Sequence, residues 1–269
     1  MPATKLRLCR SLLFLPASNP RATAKARELP ADMIVLDCED AVREEDKGSA
    51  RLAAVAAAAE GFGERLCAIR INAISGPHYG PDAVAVRASR ADFVILPKAE
   101  SYDQTKDTGN LIQKPVLAMI ETAAGVLQAA QIAPATAGLI AGTNDLAADL
   151  AIPTAETRIA LHHSLQAIVL AARAARVAAF DGVYNRLEDD EGLARQCEEG
   201  RAFGFDGKSL IHPNQIEIAN RVFGPSQSEV EAAERLIAVA TGGAERFEGR
   251  MIEAMHVEQA RAVLAKARR

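Results

Sequence analysis

Short apolar runs recur along the chain from residue 12 to residue 211, each followed by a stretch of helical composition. They occupy residues 12–15, 33–36, 66–71, 93–96, 116–120, 138–141, 177–180 and 209–211. The runs are continuous rather than alternating in twos, which is the mark of strands in a parallel sheet buried on both faces. Strand and helix alternate eight times, so the pattern predicts a (β/α)8 TIM barrel with a C-terminal helical extension. An open doubly wound sheet has fewer strands and a glycine-rich first turn. The barrel is expected over residues 1–224 and the extension over 225–269.

Helix-start signals agree with this register. Asn19-Pro20 precedes a helical stretch at 21–29, and Pro153-Thr154 precedes one at 155–176. The acidic groups at 44–46 and 188–191 fall near helix starts, where carboxylates offset the macrodipole. Beyond Gly224 the strand pattern stops, and two helical stretches, 228–240 and 248–268, flank Gly242-Gly243. The second carries an apolar face through Val257, Ala260, Val263 and Leu264 with no barrel strand of its own to cover.

Composition narrows the function. A formal net charge of −4 over 269 residues, no tryptophan and 4% aromatics supply neither a field nor a stacking platform for nucleic acid. No apolar run is long enough to cross a bilayer. The run after Arg7 and Arg10 ends at Pro16, too short for a secretory core. Cys9, Cys38, Cys67 and Cys197 are widely spaced, with no ligand or disulfide pattern. The chain reads as a cytoplasmic protein whose partner is a small molecule.

In a barrel of this kind chemistry sits at the C-terminal ends of the strands. The polar residues there are Asn19; Asp37, Glu39 and Asp40; Arg70 and Asn72; Lys98 and Glu100; Glu121 and Thr122; Asn144 and Asp145; Asp181; and His212. So many carboxylates with one arginine and one lysine suit a hard divalent cation and a small carboxylic acid together, and Glu121 with Asp145 is the best-placed metal pair. Several of these positions have structural readings beside the chemical one. A lone strand-end carboxylate can cap the next helix, Asp181-Gly182 resembles a turn, His212-Pro213 resembles a helix start, and His162-His163 suits packing. Lys98 is placed where a Schiff-base amine would stand, whereas Lys208 begins the eighth strand and so falls at the wrong end.

At these residues the sequence resembles the HpcH/HpaI aldolase and citrate lyase β-subunit family, in its CoA-thioester lyase branch. The resemblance rests on Arg10-Ser11-Leu-Leu-Phe-Leu-Pro16, Val35-Leu-Asp-Cys-Glu-Asp-Ala-Val42, Arg70-Ile-Asn72, Leu96-Pro-Lys-Ala-Glu100, Ile120-Glu-Thr-Ala-Ala-Gly125, Gly142-Thr-Asn-Asp-Leu146 and Gly204-Phe-Asp-Gly-Lys-Ser-Leu-Ile-His-Pro213. It implies a barrel, Mg²⁺ (or Mn²⁺), a coenzyme A thioester as substrate and a homo-oligomer, trimer or hexamer. The implied activity is retro-aldol cleavage of a malyl-, citramalyl- or citryl-type CoA thioester. By the same resemblance Glu121 and Asp145 are the metal ligands, and Arg70 binds substrate and stabilises the enolate. Glu39 and Asp40 orient Arg70 or metal-bound water.

Two positions depart from the pattern. Glu253, in Met251-Ile-Glu-Ala-Met255, stands where relatives carry an aspartate that reaches a neighbouring subunit as acid/base group. Tyr79, in the loop 75–80, stands near a position where relatives place another aromatic residue. Two alternatives remain beside the lyase: a metal-dependent aldolase on free 2-keto acids, and a non-catalytic subunit that binds CoA or a metabolite.

Overall fold

The computed structural model describes residues 5–153, 158–240, 243–247 and 249–267. Eight parallel strands close into a barrel in chain order: β1 (Ser11–Pro16), β2 (Met33–Asp37), β3 (Leu66–Arg70), β4 (Phe93–Leu96), β5 (Val116–Ile120), β6 (Gly138–Ala141), β7 (Ala178–Asp181) and β8 (Gly207–Leu210). β8 pairs back onto β1 through Ser11 and Lys208. All eight apolar runs are therefore strands. The last begins two residues earlier than its apolar run, which places Lys208 inside β8.

Helices cover the outside: α1 (Pro20–Ala26), α2 (Lys47–Glu60), α3 (Tyr79–Ala88), α4 (Tyr102–Ile112), α5 (Ala123–Ile132), α6 (Thr143–Asp149), α7 (His162–Ala174), α8 (Asp190–Phe203) and α9 (Gln215–Phe223). Several of their starts are capped by a side chain. Asn19 accepts from the Ala22 amide with Pro20 in the first turn, Thr122 accepts from the Gly125 amide, and Asp189 from the Gly192 amide. Of the helix expected at 155–176, residues 155–157 lie outside the described residues, as does Thr154 before it. A 3₁₀ turn at Arg158–Leu161 leads into α7.

The continuous apolar runs are explained by two cores. Leu12, Phe14, Val35, Ala68, Phe93, Met119 and Phe180 fill the barrel interior. The intervening residues, among them Leu13, Leu15, Leu36, Ile69, Ala118 and Ala179, pack outward under the helices. Both faces of every strand are thus removed from water, so each position is free to be apolar. The alternation survives in direction rather than in polarity.

The tail departs from expectation. α10 (Gln227–Val239) starts at a capping box formed by Ser226 and Glu229. Where a helix was expected from Glu248, itself outside the described residues as are Gly242 and Arg268, two short antiparallel strands intervene, β9 (Glu245–Phe247) and β10 (Arg250–Ile252). α11 (Ala254–Ala267) then packs on α10 and returns to the N-terminal end of the barrel. There Lys266 Nζ donates to the Asp206 carbonyl at 2.6 Å, and Val263 borders a cleft with Arg7, Phe205 and Phe223. Of the apolar face expected to lack cover within its own chain, Ala260 is buried and Val257, Val263 and Leu264 are half-buried, so the chain itself covers part of it.

Candidate active site

Strand direction fixes which side chains reach the mouth. Counting two residues on from the interior positions Val35, Ala68 and Met119 gives Asp37, Arg70 and Glu121, each the last residue of its strand or the next after it. All three line a cavity of about 380 Å³ at the C-terminal end of the barrel, together with Asp40, Asp145 and the apolar Phe14 and Met119. The sequence-predicted residues Arg70, Glu121, Asp145 and Asp40 are thus brought to one cavity.

Arg70 is held in it by partners on several sides. β2 and β3 set Asp37 directly beside Arg70, and the two meet as a planar fork: Nε to Oδ1 at 2.7 Å and Nη2 to Oδ2 at 2.5 Å. Glu39 Oε2 stands 3.1 Å from Nη1 and Asp40 Oδ2 at 3.6 Å, while the guanidinium carbon lies 5.5 Å above the Phe14 ring. Burial works against the charge. The hydrogen bonds and charge of Asp37, joined by Glu39 and Asp40, outweigh it and keep Arg70 protonated. Glu39 and Asp40 do contact Arg70, as expected from sequence. Its principal partner, however, is Asp37, a residue that sequence reasoning counted at the mouth without assigning it this role. Cross-strand adjacency was the signal, and it requires the register.

Glu121 is buried, and burial, with the charges of Glu39 and Asp145, pushes its carboxyl up to about 8. Its Oε1 accepts the Lys98 amide at 2.8 Å. Lys98 aims that amide from a left-handed backbone (φ 48°), an uncommon conformation for a residue with a side chain. Gly142 makes room on the other side: a Cβ there would lie 2.5 Å from Glu121 Oε2. Asp145, in the first turn of α6, is half-buried. Two converging carboxylates, one reluctant to ionise by itself, fit a hard divalent cation. Among the described residues no three His, Cys, Asp or Glu side chains form a ready cage. Two carboxylates at such a site would leave other metal positions to water and substrate.

The Lys98 ammonium stands 3.7 Å from Glu39 Oε1. Partial burial lowers its proton affinity, but Glu39, Asp40, Glu121 and Asp145 together raise it above its ordinary value. A Schiff-base amine must lose its proton, so this environment disfavours that chemistry. Lys208 is excluded for another reason than its position along the strand. It is fully buried on the outer face of the barrel wall, bonded to Asp181 at 2.9 Å.

The other candidates make structural contacts or stand away from the mouth. Asn72 is buried, donating to Asp82 and to the Cys38 carbonyl. Thr122 caps α5 and donates to Glu100. Asp181 is no turn residue: it ends β7, and although burial opposes its ionisation, Lys208 and Arg158 hold its carboxyl below the usual range. His212 Nδ1 accepts the Asn214 amide just before α9, and His162 packs edge-on against Phe203 while meeting Glu199 at 2.8 Å. Tyr79 turns away from the mouth, its hydroxyl 2.9 Å from that of Thr108 on α4. Glu253 is exposed at the start of α11 and does not line the mouth of its own barrel.

The raised carboxyls give a pH dependence. Burial also pushes Glu39 up to about 7. Both groups ionise more readily unfolded, near 4.5, than folded. Their ionisation therefore removes stability as pH rises above 4.5, the loss being complete only above about 8. In the metal-free protein, raising the pH from 5.5 to 8.5 is expected to lower the contribution of this pair, on the order of a few degrees in Tm. Scanning calorimetry of wild type against Glu39→Gln/Glu121→Gln in EDTA measures it. Identical pH profiles for the two would contradict the assignment.

The family model for HpcH/HpaI aldolase/citrate lyase matches residues 10–213. A (3S)-malyl-CoA thioesterase of Cereibacter sphaeroides is 43% identical, the match covering 96% of this chain and 94% of the relative. The citrate lyase subunit beta of Leuconostoc mesenteroides subsp. cremoris is 36% identical over 86% of this chain and 82% of its own. Among solved structures, protein CitE from Mycobacterium tuberculosis in complex with magnesium, acetoacetate and coenzyme A superposes with a TM-score of 0.82 at 34% identity, covering 96% of this chain and 98% of that one. The fold, the ordered motifs and these likenesses agree: the chain belongs to the HpcH/HpaI aldolase/citrate lyase family.

Proposed function

We propose that the protein is a Mg²⁺-dependent carbon–carbon lyase that cleaves a 3-hydroxyacyl-CoA of the malyl, citramalyl or citryl type, or condenses its products. The observation that carries this reading is the meeting of Arg70 with Glu121 and Asp145 in one cavity. The magnesium and coenzyme A of the CitE complex support it. Glu121 and Asp145 would hold the metal, with Mn²⁺ as a substitute. When bound, the metal supplies a Lewis acid for the hydroxyl and carboxylate of the acyl group.

The chain's own residues supply the rest. Cleavage removes the 3-hydroxyl proton and breaks the C2–C3 bond. The bonding pair passes to C2 as a thioester enolate while a keto acid departs, and a proton returned to C2 completes the second product. Arg70, held planar by Asp37, presents fixed donors to the enolate oxygen. Glu39 and Asp40 flank it and maintain its orientation. Glu121 also contacts the acyl portion through the shared site.

For the proton we propose Glu253, acting from the tail of one subunit at the mouth of a neighbour in a homotrimer or hexamer. Its exposure at the start of α11, away from its own mouth, suits a role in trans. Glu253→Gln is expected to lower kcat by about 10²–10⁴-fold with little change in KM, and Glu253→Asp to retain activity. A fully active Gln variant would remove Glu253 from the mechanism. Four buried cysteines with no disulfide among the described residues support a cytoplasmic setting.

A second reading, hydrolysis of the thioester, is favoured by the name of the 43% identical relative, a (3S)-malyl-CoA thioesterase. The same Arg70 would stabilise the oxyanion formed when water attacks the thioester carbonyl. A screen of malyl-, methylmalyl-, citramalyl- and citryl-CoA with Mg²⁺, each in competition with its free acid, tests the proposal. Turnover of a thioester unaffected by the free acid supports it, and turnover of free acids alone overturns it.

A further inference from the structure

Behind the mouth, on the outer face of the barrel wall, lies a buried ion cluster that the chemistry above does not use. Register places Asp181 of β7 beside Lys208 of β8, and both side chains are inaccessible to solvent. Lys208 Nζ lies 2.9 Å from Asp181 Oδ2 and 2.6 Å from Gln196 Oε1 of α8. Arg158 Nη2 reaches both Asp181 oxygens at 3.0 Å, and its Nε pairs with Glu199. Two cations on one carboxylate are thus balanced by a second carboxylate. Buried ion clusters add little stability over apolar packing of the same shape, so an account of this one must find what it orients.

It orients Gly182. The Gly182 amide donates to Asp181 Oδ1 at 2.8 Å, and its carbonyl accepts from Lys208 Nζ at 2.5 Å. Gly182 in turn is the floor under Thr143, the first residue of α6: a Cβ on it would collide with the Thr143 side chain and lie 2.9 Å from the Ala141 carbonyl. Three residues on, Asn185 and Asn144 exchange amide hydrogen bonds, at 2.8 Å and 3.3 Å. Asn144 immediately precedes Asp145. The loop between them is itself stiff, since the Tyr184 carbonyl accepts from Gln215 Nε2 at 2.8 Å and the Tyr184 hydroxyl donates to Asp189 at 2.5 Å.

We propose that the Asp181–Lys208–Arg158 cluster and Asn185 form a brace that sets the position of Asp145, acting through Gly182, Thr143 and Asn144. Lys208 and Asn185 are then positioning residues: neither lines the mouth cavity, and each fixes one side of α6. The inference rests on the reading of Glu121 and Asp145 as a metal pair. A seven-residue helix has few internal hydrogen bonds with which to hold its own first turn, so external partners decide where Asp145 stands. The expected effect resembles that of removing an outer partner of a metal ligand, about 10–100-fold in metal affinity.

Mn²⁺ binding to the purified full chain, read from the free-ion electron paramagnetic resonance signal, tests this alongside Tm. Asn185→Ala, at an exposed site, is expected to weaken Mn²⁺ binding about 10–100-fold while Tm in EDTA stays at the wild-type value. Lys208→Met is expected to weaken it similarly with a lower Tm, and should that variant not fold, Asn185→Ala decides alone. Asp145→Ala serves as reference. If Asp145→Ala loses Mn²⁺ and Asn185→Ala binds it as wild type does, the brace is overturned and the metal pair stands. If Asp145→Ala itself binds like wild type, the metal pair falls and the brace with it.

Discussion

Glu121→Gln is expected to reduce turnover by at least ~10³-fold while leaving the fold intact. The loss follows from charge: an amide oxygen is a far poorer ligand for a hard cation than a carboxylate, and Glu121 is one of the two carboxylates proposed to hold the metal. Retention of the fold follows from shape. Glutamine keeps an oxygen for the Lys98 amide, 2.8 Å from Oε1 in the wild type, and occupies the same space against Gly142. Because burial already pushes the Glu121 carboxyl up to about 8, the neutral variant escapes a penalty that the wild type carries at alkaline pH. Its Tm in EDTA at pH 8.5 should therefore equal or exceed that of wild type, while the rise in Tm on adding Mg²⁺ disappears. Turnover and thermal scans with and without Mg²⁺ check both halves. A substantially active variant that still gains stability from Mg²⁺ would contradict the assignment.

Arg70→Lys is expected to lose about 10²–10³-fold in kcat although the charge is kept. The guanidinium meets Asp37 with two parallel hydrogen bonds and holds its remaining nitrogen among Glu39 and Asp40, whereas an ammonium is a point donor with no plane to align. Arg70→Met separates position from stability. Leaving buried Asp37 and Glu39 without their cation should cost about 3–5 kcal/mol of folding stability, so Asp37→Asn/Arg70→Met should recover part of that stability and none of the activity. Steady-state kinetics and denaturant unfolding measure the two effects separately. Near-wild-type kcat in Arg70→Lys would make Arg70 a structural residue.

The fold was legible because both faces of every strand are buried, which leaves apolar runs with little punctuation inside them. The exceptions have physical causes. Residues 207–208 begin β8, yet Gly207 and Lys208 carry no apolar signal, since the outward position of Lys208 is satisfied by Asp181 rather than by a helix side chain. Asp181-Gly182 resembles a turn for the same reason: its charge is met by Lys208, 27 residues away in sequence, and Arg158, 23 residues away. The β9–β10 hairpin is made of three-residue strands, too short to show a period. At the mouth, Arg70, Glu121 and Asp145 follow from the strand-end rule alone. The Asp37 fork on Arg70 and the amide exchange of Asn144 with Asn185 depend on which strands and loops stand side by side, information that no local pattern carries.

Cleavage of a carbon–carbon bond under metal control can be read from the products of one incubation. Purified protein is mixed with malyl-CoA and Mg²⁺, and glyoxylate, acetyl-CoA, malate and free thiol are quantified together. Glyoxylate and acetyl-CoA are expected in equal amounts, abolished by excess EDTA and restored by Mg²⁺. Malate and free CoA without glyoxylate, or product formation unchanged in EDTA, would contradict metal-dependent cleavage.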